Sequence, residues 1–393
     1  MTNEVKNIPA LRFSGFEGEW EEKLIKDILE FENNRRKPVT STIREIGNYP
    51  YYGASGIIDY VKDYIFNNER RLLIGEDGAK WGSFEESSFI ATGRYWVNNH
   101  AHVAKSELNN LIFLNNLLNY KELRTYVTGN APAKLTYNNL CNIPILLPSI
   151  EEQNKIGNFF IKLDHQIELE EQKLEKLEEQ KKGYMQKIFS QELRFKDENG
   201  NEYPEWEEKE INSVLEKIID NRGKTPENNS TEIYPMLEVN SLGNYYPKYN
   251  KVAKFVSEKT YKAWFREHIK LNDVLFSTVG NTGLVSLMDN NKAVIAQNIV
   301  GLRINSENDA TFLYYLLSYW ENQKKVKQIQ MGAVQPSVKV SQFKYLKFYF
   351  PTKDEQQEIG VFLTIFDKIF EEQSKKIEIL KERKQGLLQK MFV

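Results

Sequence analysis

The chain of 393 residues has a single cysteine, Cys141. A disulfide framework is therefore excluded, and a reducing compartment, the cytoplasm, is expected. The first residues lack the basic start and apolar run of a secretory signal peptide, and no run of 18 apolar residues is long enough to cross a membrane. A large excess of charge of one sign is missing too, because the formal net charge is −2. These absences indicate a globular protein that is neither secreted nor embedded in a membrane.

Signatures of a nucleotide site are also missing. The segment Gly223–Thr225 has the end of a phosphate-binding loop, but Ile218 stands where the first glycine of such a loop is required. No G-x-G-x-x-G segment follows a predicted strand. We therefore expect no nucleotide cofactor in this chain.

The sequence also lacks convincing motifs for a catalytic site or a metal site. The run Glu207–Lys209 resembles the carboxylate–lysine pair of nucleases, but Glu21–Lys23 matches it in a similar framework, so a charged surface segment is the better interpretation. His100 and His102 stand two residues apart, which on a strand places them on one face, but no cysteine or third histidine is nearby. The sequence therefore predicts no metal site and no catalytic residues.

The chain does contain an internal repeat, which determines its architecture. Residues 148–189 recur without a gap as residues 351–392, 203 positions later. Each copy follows a domain-sized segment whose start is repeated as well, because Leu11–Phe13 parallels Leu193–Phe195. A constant framework around a divergent middle predicts two mixed α/β (α+β) domains with one scaffold and different surfaces, in a pseudo-twofold tandem repeat.

The near-zero net charge conceals a difference between segments. Residues 211–350 contain 18 basic and 12 acidic residues, whereas 192–210 contain 3 and 8. Residues 1–150 are nearly neutral, with 17 basic and 18 acidic residues. The second segment therefore suits a polyanionic partner, while the first weakens a purely electrostatic argument for one.

The repeated segments have the pattern of long helices. Apolar residues follow one another in steps of four and three, the spacing of a coiled-coil seam, and each helix of about 40 residues would be about 60 Å long. Ser149-x-x-Glu152 and Thr352-x-x-Glu355 predict capping boxes at their starts. We expect the two helices to pack on each other in antiparallel orientation. The predicted seam consists of Ile156, Phe160, Leu163, Ile167, Leu174, Leu177, Ile359, Leu363, Phe366, Phe370, Ile377 and Leu380.

Polar residues interrupt this seam at the same places in both copies. One antiparallel register sets Glu170 opposite Lys384 and, at the same time, Lys181 opposite Gln373. Polar seam positions commonly select the register of a coiled coil. The alternative interpretation is that these residues lie at the edges of the seam with solvated head groups.

The chain resembles, over nearly its full length, the specificity (S) subunit of type I DNA restriction–modification systems. Four stretches carry the resemblance. They are Tyr49–Tyr60, Leu73–Gly78, Trp96–Val103 and Leu146–Ile156, the last with its second copy starting at Pro351. The resemblance implies two target-recognition domains, each of which reads half of a split DNA sequence, separated by a pair of long antiparallel coiled-coil helices. The boundaries it predicts are 1–148 and 211–350 for the recognition domains, 149–191 and 351–393 for the helices, and 192–210 for an acidic linker.

The same resemblance implies the partners and their cofactors. Two methyltransferase (M) subunits carry S-adenosylmethionine and modify adenine, and restriction/translocase (R) subunits use ATP and Mg. In that family the S subunit is not catalytic, which agrees with the missing motifs. Two alternatives stay open: a chain with its own nuclease or methyltransferase activity, and a scaffold that joins proteins without touching DNA.

Side chains suited to nucleic acid occur in both variable segments. Amides match the edge of adenine, and hydroxyl groups and cations match phosphates. The loop Ser277–Gly283 and the pair Gln297–Asn298 stand in the second segment where the loop after Leu73 and the run after Trp96 stand in the first. Turns or structural hydrogen bonds are the competing interpretation of the asparagine and histidine run. The candidate DNA-contacting residues are Arg35, Arg36, Lys37, Tyr52, Ser55, Lys80, Arg94, Asn98, Asn99, His100, His102, Arg222, Lys224, Asn281, Thr282, Gln297 and Asn298.

Overall fold

A computed structural model describes residues 7–221, 226–228, 233–290 and 292–393 of the chain. The chain divides into two compact units, each of which takes part of both long helices. The first unit consists of Met1–Gln172 with Lys375–Val393, and the second of Lys173–Ser374. The architecture within them is mixed α/β, as the sequence predicts.

The first unit is built on two small sheets and the helices that cover them. Its elements are β1 (Glu21–Leu24), α1 (Ile25–Ile28), β2 (Glu30–Phe31), β3 (Ile46–Gly53), β4 (Gly56–Val61), β5 (Arg71–Gly75), β6 (Ser88–Ala91), β7 (Trp96–Val97), β8 (Ala101–Lys105), α2 (Leu111–Tyr120), α3 (Tyr137–Cys141), β9 (Pro144–Leu147) and the first part of α4 (Ile150–Phe189). The strand orders are β2-β8-β5-β6 and β4-β3-β7, and β1 pairs with β9. Leu72, Leu73 and Ile74 of β5 are fully buried, because this strand lies inside its sheet with both faces covered.

The second unit repeats this plan with additions. Its elements are β10 (Glu207–Glu210), α5 (Ile211–Val214), β11 (Leu215–Ile219), β12 (Tyr234–Leu237), β13 (Phe255–Val256), α6 (Glu258–Trp264), β14 (Val274–Ser277), β15 (Val285–Leu287), β16 (Val294–Ile295), β17 (Ile299–Ile304), α7 (Ala310–Ser318), α8 (Trp320–Gln328), β18 (Gln330–Met331), β19 (Ser337–Val338), α9 (Val340–Phe343), β20 (Lys347–Phe350) and most of α10 (Lys353–Met391). The strand orders β11-β17-β14-β15 and β13-β12-β16 match those of the first unit.

The repeated glutamine at each long-helix start attaches that helix to its domain. Gln153 Oε1 accepts a hydrogen bond from the backbone N–H of Asn110, the residue that caps α2, at 3.1 Å. Gln356 Oε1 does the same for Asp309, the cap of α7, at 2.9 Å. Each amide also donates to the carbonyl of the repeated proline. The repeat therefore preserves a buried polar joint that orders both the sheet-covering helix and the long helix.

The predicted capping boxes are largely wrong, because among the described residues only Ser149, and not Thr352, forms the side-chain bond of a cap. Ser149 Oγ accepts from the N–H of Glu152 at 3.4 Å, as expected. The carboxylates of Glu152 and Glu355, however, do not return to the helix start. They are 1% and 0% exposed and accept paired hydrogen bonds from Arg12 and Arg194, at 2.6 to 2.9 Å. A buried carboxylate needs a cation close by, and the backbone N–H of a cap does not supply one.

The long helices are antiparallel within each unit. In the first unit Asp164 pairs with Lys384 at 2.6 Å and Glu171 with Lys381 at 2.6 Å, so residue numbers rise on one helix as they fall on the other. In the second unit Lys181 pairs with Asp367 at 2.5 Å.

The register proposed from the sequence is wrong. Glu170 pairs with Lys376 rather than Lys384, and Lys181 pairs with Asp367. The predicted register pairs polar residues at seam positions with one another, whereas the observed register brings lysines to carboxylates beside the seam. Asp164–Lys384 and Lys181–Asp367 are the same pair in the two copies of the repeat, which is the symmetry that an antiparallel register requires.

Some of the predicted seam residues pack in a domain core as well as between the two helices. The first four residues of the first copy and the first two of the second copy belong to the hydrophobic core of the adjacent domain, where Phe160 and Ile359 are fully buried. Phe392, just after the end of α10, lies 5.2 Å from Phe113 and 6.0 Å from Phe160 between ring centroids. The buried seam residues are Ile156, Phe160, Leu163, Ile167, Ile359, Leu363, Ile377 and Leu380, and the half-buried ones are Leu174, Leu177, Phe366 and Phe370.

Candidate nucleic-acid interface

The first unit brings three loop segments together at one end of its central strands. The β5 and β8 strands run antiparallel, with Ile74 opposite His102. Just beyond β5, the N–H of Glu76 donates to the carbonyl of His100 at 2.8 Å, and the Glu76 carbonyl accepts from the N–H of Leu135 at 2.8 Å. The backbone thus joins the loop 76–80, the run 98–100 and the segment 134–135 into one surface.

Asp77 is the electrostatic centre of this surface. Its carboxylate contacts the imidazole of His100 and lies 3.1 Å from the Lys134 ammonium. Partial burial opposes the charged form, but hydrogen bonds from Lys134 and His100 outweigh it and hold the pKa of the Asp77 carboxyl below its usual value. The carboxylate holds the Lys134 ammonium and the His100 ring in place, and His100 is about half exposed.

Arg35 and Arg36 are occupied by protein carboxylates. Arg35 forms two hydrogen bonds of 2.7 Å with Glu69, and Arg36 one of 2.7 Å with Glu76. The bond from Arg35 lowers the pKa of Glu69 to about 2. Both guanidinium groups are mostly buried and paired, so they brace the loops, and their direct contact with phosphates stays a prediction.

Asn98 and His102 are structural as well. Asn98 is 3% exposed, and its side-chain oxygen accepts from the N–H of His100 at 2.8 Å. His102 is 1% exposed, and its Nε2 lies 2.8 Å from the carbonyl of Leu135. Burial lowers the pKa of the His102 imidazole, which keeps it neutral. These two residues position the loop, and their direct contact with a base edge stays a prediction.

The remaining candidates of the first unit differ in location. Lys80, Asn99 and His100 are exposed in the joined loops, and Ser55 donates to the carbonyl of Gly78 at 3.3 Å from the tip of the β3–β4 hairpin. Other candidates lie outside this group. Lys37 is exposed beside β7, Tyr52 packs among buried aromatic rings, and Arg94 lies against the ring of Tyr64.

The second unit has the same backbone arrangement with different side chains. The N–H of Thr278 donates to the carbonyl of Asn298 at 2.8 Å, and the Thr278 carbonyl accepts from the N–H of Val338 at 2.8 Å. These bonds correspond to those of Glu76, so the predicted equivalence of the loops is confirmed. Asn281 and Gln297 are exposed here. Thr282 and Asn298 are half-buried, and Arg222 and Lys224 lie outside the described residues.

Each site has a third segment, residues 128–134 in the first unit and 331–337 in the second, and no residue of either was predicted to contact DNA. Residues 128–134 and 331–337 turn back toward the central loops, and Gly129 and Gly332 have φ of +80° and +86° there. An added Cβ would lie 3.0 Å from the carbonyl oxygen of Pro132 and 2.8 Å from that of Gln335, so glycine is required on two grounds. The spacing of 203 between the two glycines is the sequence signal for this pair of turns.

The described part of the chain contains no group of three His, Cys, Asp or Glu residues placed to hold a metal ion. Over the same residues, no helix is both long enough and apolar enough to span a bilayer.

Comparison with known proteins identifies the family. The type I restriction modification DNA specificity domain matches residues 17–179 and 203–381, one match in each copy of the repeat. A putative type I restriction enzyme specificity subunit of Haemophilus influenzae is 42% identical over 145 residues, which is 36% of this chain and 36% of that protein. The MjaVIII specificity subunit of Methanocaldococcus jannaschii is 23% identical over 94% of this chain and 91% of its own length.

Solved structures show the same fold. The type I restriction–modification S subunit from M. genitalium has a TM-score of 0.63 and 14% identity, with 98% of this chain and 99% of that chain covered. A chain from a study of complex assembly and conformational transition in the type I system has a TM-score of 0.55 and 16% identity, with 95% and 97% covered. Because the family domain matches most of the sequence in two copies, the chain belongs to the type I restriction modification DNA specificity family.

Proposed function

We propose that the chain is the sequence-reading subunit of a type I restriction–modification complex, in which each unit reads one half of a bipartite DNA target. The observation that carries the proposal is the shared three-segment loop arrangement with different exposed side chains. In one unit it presents Lys80, Asn99 and His100, and in the other Asn281 and Gln297. One scaffold with two different sets of hydrogen-bonding groups is what two unlike half-sites require.

The long helices would set the unread gap and dock the methyltransferase subunits. They are continuous through both units, and their ion pairs hold one antiparallel register. They also expose large apolar side chains that the chain itself does not cover, a feature of protein interfaces. These side chains include Ile161, Leu169, Val361, Ile365 and Ile379, which are 41% to 65% exposed.

The chemistry would belong to the partners. Methyltransferase subunits would carry S-adenosylmethionine, and restriction subunits would use ATP and Mg, while this chain contributes the choice of sequence and no catalytic residue. Loops held by Asp77 and by backbone hydrogen bonds are preorganised, so little entropy is lost when they enter a groove.

Methylated adenines mapped across the genome, with and without this gene, test the proposal. We expect a bipartite motif that disappears with the gene. The paired changes Asn281→Ala and Gln297→Ala should relax or abolish one half of the motif, and Asn99→Ala with His100→Ala the other half. A motif that survives deletion of the gene, or changes in both halves with either variant, would contradict the proposal.

A further inference from the structure

The connection from α7 to β20 in the second unit has an unusual charge balance. Residues 319–346 contain five lysines and a single acidic residue, Glu321. The corresponding connection from α2 to β9 in the first unit, residues 121–143, contains three cationic side chains and Glu122. The difference arises in part from α8, a helix of nine residues, because the corresponding place in the first unit has only the three-residue 3-10 helix Arg124–Tyr126.

The cations of the first unit are already used within the protein. Lys134 lies 3.1 Å from Asp77, and Arg124 lies 3.2 Å from Glu85. Burial lowers the pKa of Lys121, whose side chain is half-buried. This connection therefore presents little positive charge to a partner.

Three lysines of the connection in the second unit, Lys324, Lys327 and Lys339, are exposed. Lys324 and Lys327 are three residues apart on α8, so they lie on one face of the helix. Lys339 follows directly on Val338, which pairs with Gln330 just after the end of α8, so it is near the same helix end. Lys324 is paired as Arg124 is, because it lies 2.8 Å from Glu321 and 4.4 Å from the centroid of the Trp320 ring, but within the described ranges no carboxylate is within ion-pairing distance of Lys327 or Lys339.

This basic surface is attached to the reading loop of its unit. Gln323, on α8, donates to the carbonyl of Gly283 at 2.8 Å. Gly283 has a φ of +84°, and an added Cβ would lie 2.4 Å from Gln323 Oε1, so the helix packs directly against the loop. On the other side, the N–H of Gly280 donates to the carbonyl of Pro336 in the β18–β19 hairpin at 2.8 Å. Hydrogen bonds therefore connect the loop that contains the exposed Asn281 both to the helix α8 and to the β18–β19 hairpin, the two elements next to which the lysines lie.

We propose that Lys324, Lys327 and Lys339 form a phosphate-binding surface that positions the loop 278–283 on double-stranded DNA, and that the first unit has no equivalent. The inference rests on the proposed function and assigns most of the chain's own phosphate contact to its second unit. Phosphate contacts determine where a protein sits on a duplex, and base contacts then discriminate. The near-neutral first unit is then placed by its connection to the second and by partner subunits.

The test is the salt dependence of binding of the purified full-length chain to a labelled 40-bp duplex of arbitrary sequence. Each phosphate contact contributes about 0.9 to the slope of log K against log salt concentration. The triple variant Lys324→Gln, Lys327→Gln, Lys339→Gln should therefore have a slope shallower by about 2 to 3. The matched control is Lys251→Gln, Lys259→Gln, Lys270→Gln, which removes the same charge from exposed positions elsewhere in the second unit and should leave the slope nearly unchanged.

Equal slopes for the wild type and the first variant, or an equal decrease in both variants, would overturn the proposal, as would a wild-type chain without salt-dependent binding. Loss of methyltransferase association in the first variant with an unchanged slope would also overturn it and would assign the surface to a protein partner. None of these results alters the methylation map of the wild type, so the proposed function is judged separately.

Discussion

The aromatic side chain of Phe392 offers a sharp test of how the first unit is assembled. This residue follows the end of α10 and is 3% exposed. Its ring lies 5.2 Å from that of Phe113, 5.7 Å from Tyr120 and 6.2 Å from Trp20. Truncation by Phe392→Ala removes the ring from a core that has no other group to replace it. We expect a loss of about 3 to 5 kcal/mol in the free energy of unfolding of the first unit.

The assay is hydrogen exchange together with urea denaturation of the full-length chain. Backbone amides of α2 should lose protection in Phe392→Ala, while those of α7 keep it. The complementary change, Phe189→Ala, removes a ring that lies 5.9 Å from Phe312 and should affect α7 and spare α2. Ile379→Ala, at a position 54% exposed on α10, controls for changes to the helix itself and should cost little.

A loss below about 1 kcal/mol for Phe392→Ala, which is less than the lower end expected for a buried phenylalanine, would refute the reasoning. So would equal loss of protection in both units, since the ring of Phe392 packs in the core of the first unit and that of Phe189 packs against Phe312 in the second.

Three further predictions concern Glu69, Gly283 and Arg194. The pKa of Glu69 is lowered to about 2, so its contribution to stability is present above about pH 4.5 and is lost as the pH falls toward 2; Glu69→Gln should therefore make the urea midpoint less sensitive to acid. Gly283→Ala should destabilise the second unit by about 1 to 3 kcal/mol from backbone strain, plus a steric clash, whereas Gly280→Ala meets open space and should show the strain alone in thermal unfolding. Arg194→Ala leaves the fully buried carboxylate of Glu355 without its cation and should cost about 3 to 5 kcal/mol in urea unfolding, a loss that the further change Glu355→Gln should partly reverse.

Features set by local pattern were predictable from the sequence. The two long helices follow from apolar steps of three and four, and the duplicated framework follows from identities 203 positions apart. The equivalence of the two reading loops was also predictable, because the same strands and turns precede them in each copy. These properties depend on residues close together in the chain or on comparison of the chain with itself.

The candidate site shows what such patterns miss. Asn98, His102, Arg35 and Arg36 have the right chemistry for nucleic acid, and the sequence does not reveal that the first two are buried and that the two arginines pair with protein carboxylates. The lysines of α8 were not among the candidates, because their value depends on which carboxylates fold close to them.

The sequence alone determined that the molecule is made of two copies of one plan, since self-similarity needs no coordinates to be seen. Tertiary structure decided the helix register, the partners of Glu152 and Glu355, and the use of Phe392 in the core of the first unit. Each of these depends on groups more than 100 residues apart that must satisfy a buried charge or fill a cavity. The energetics of burial select such partners, and no local spacing encodes them.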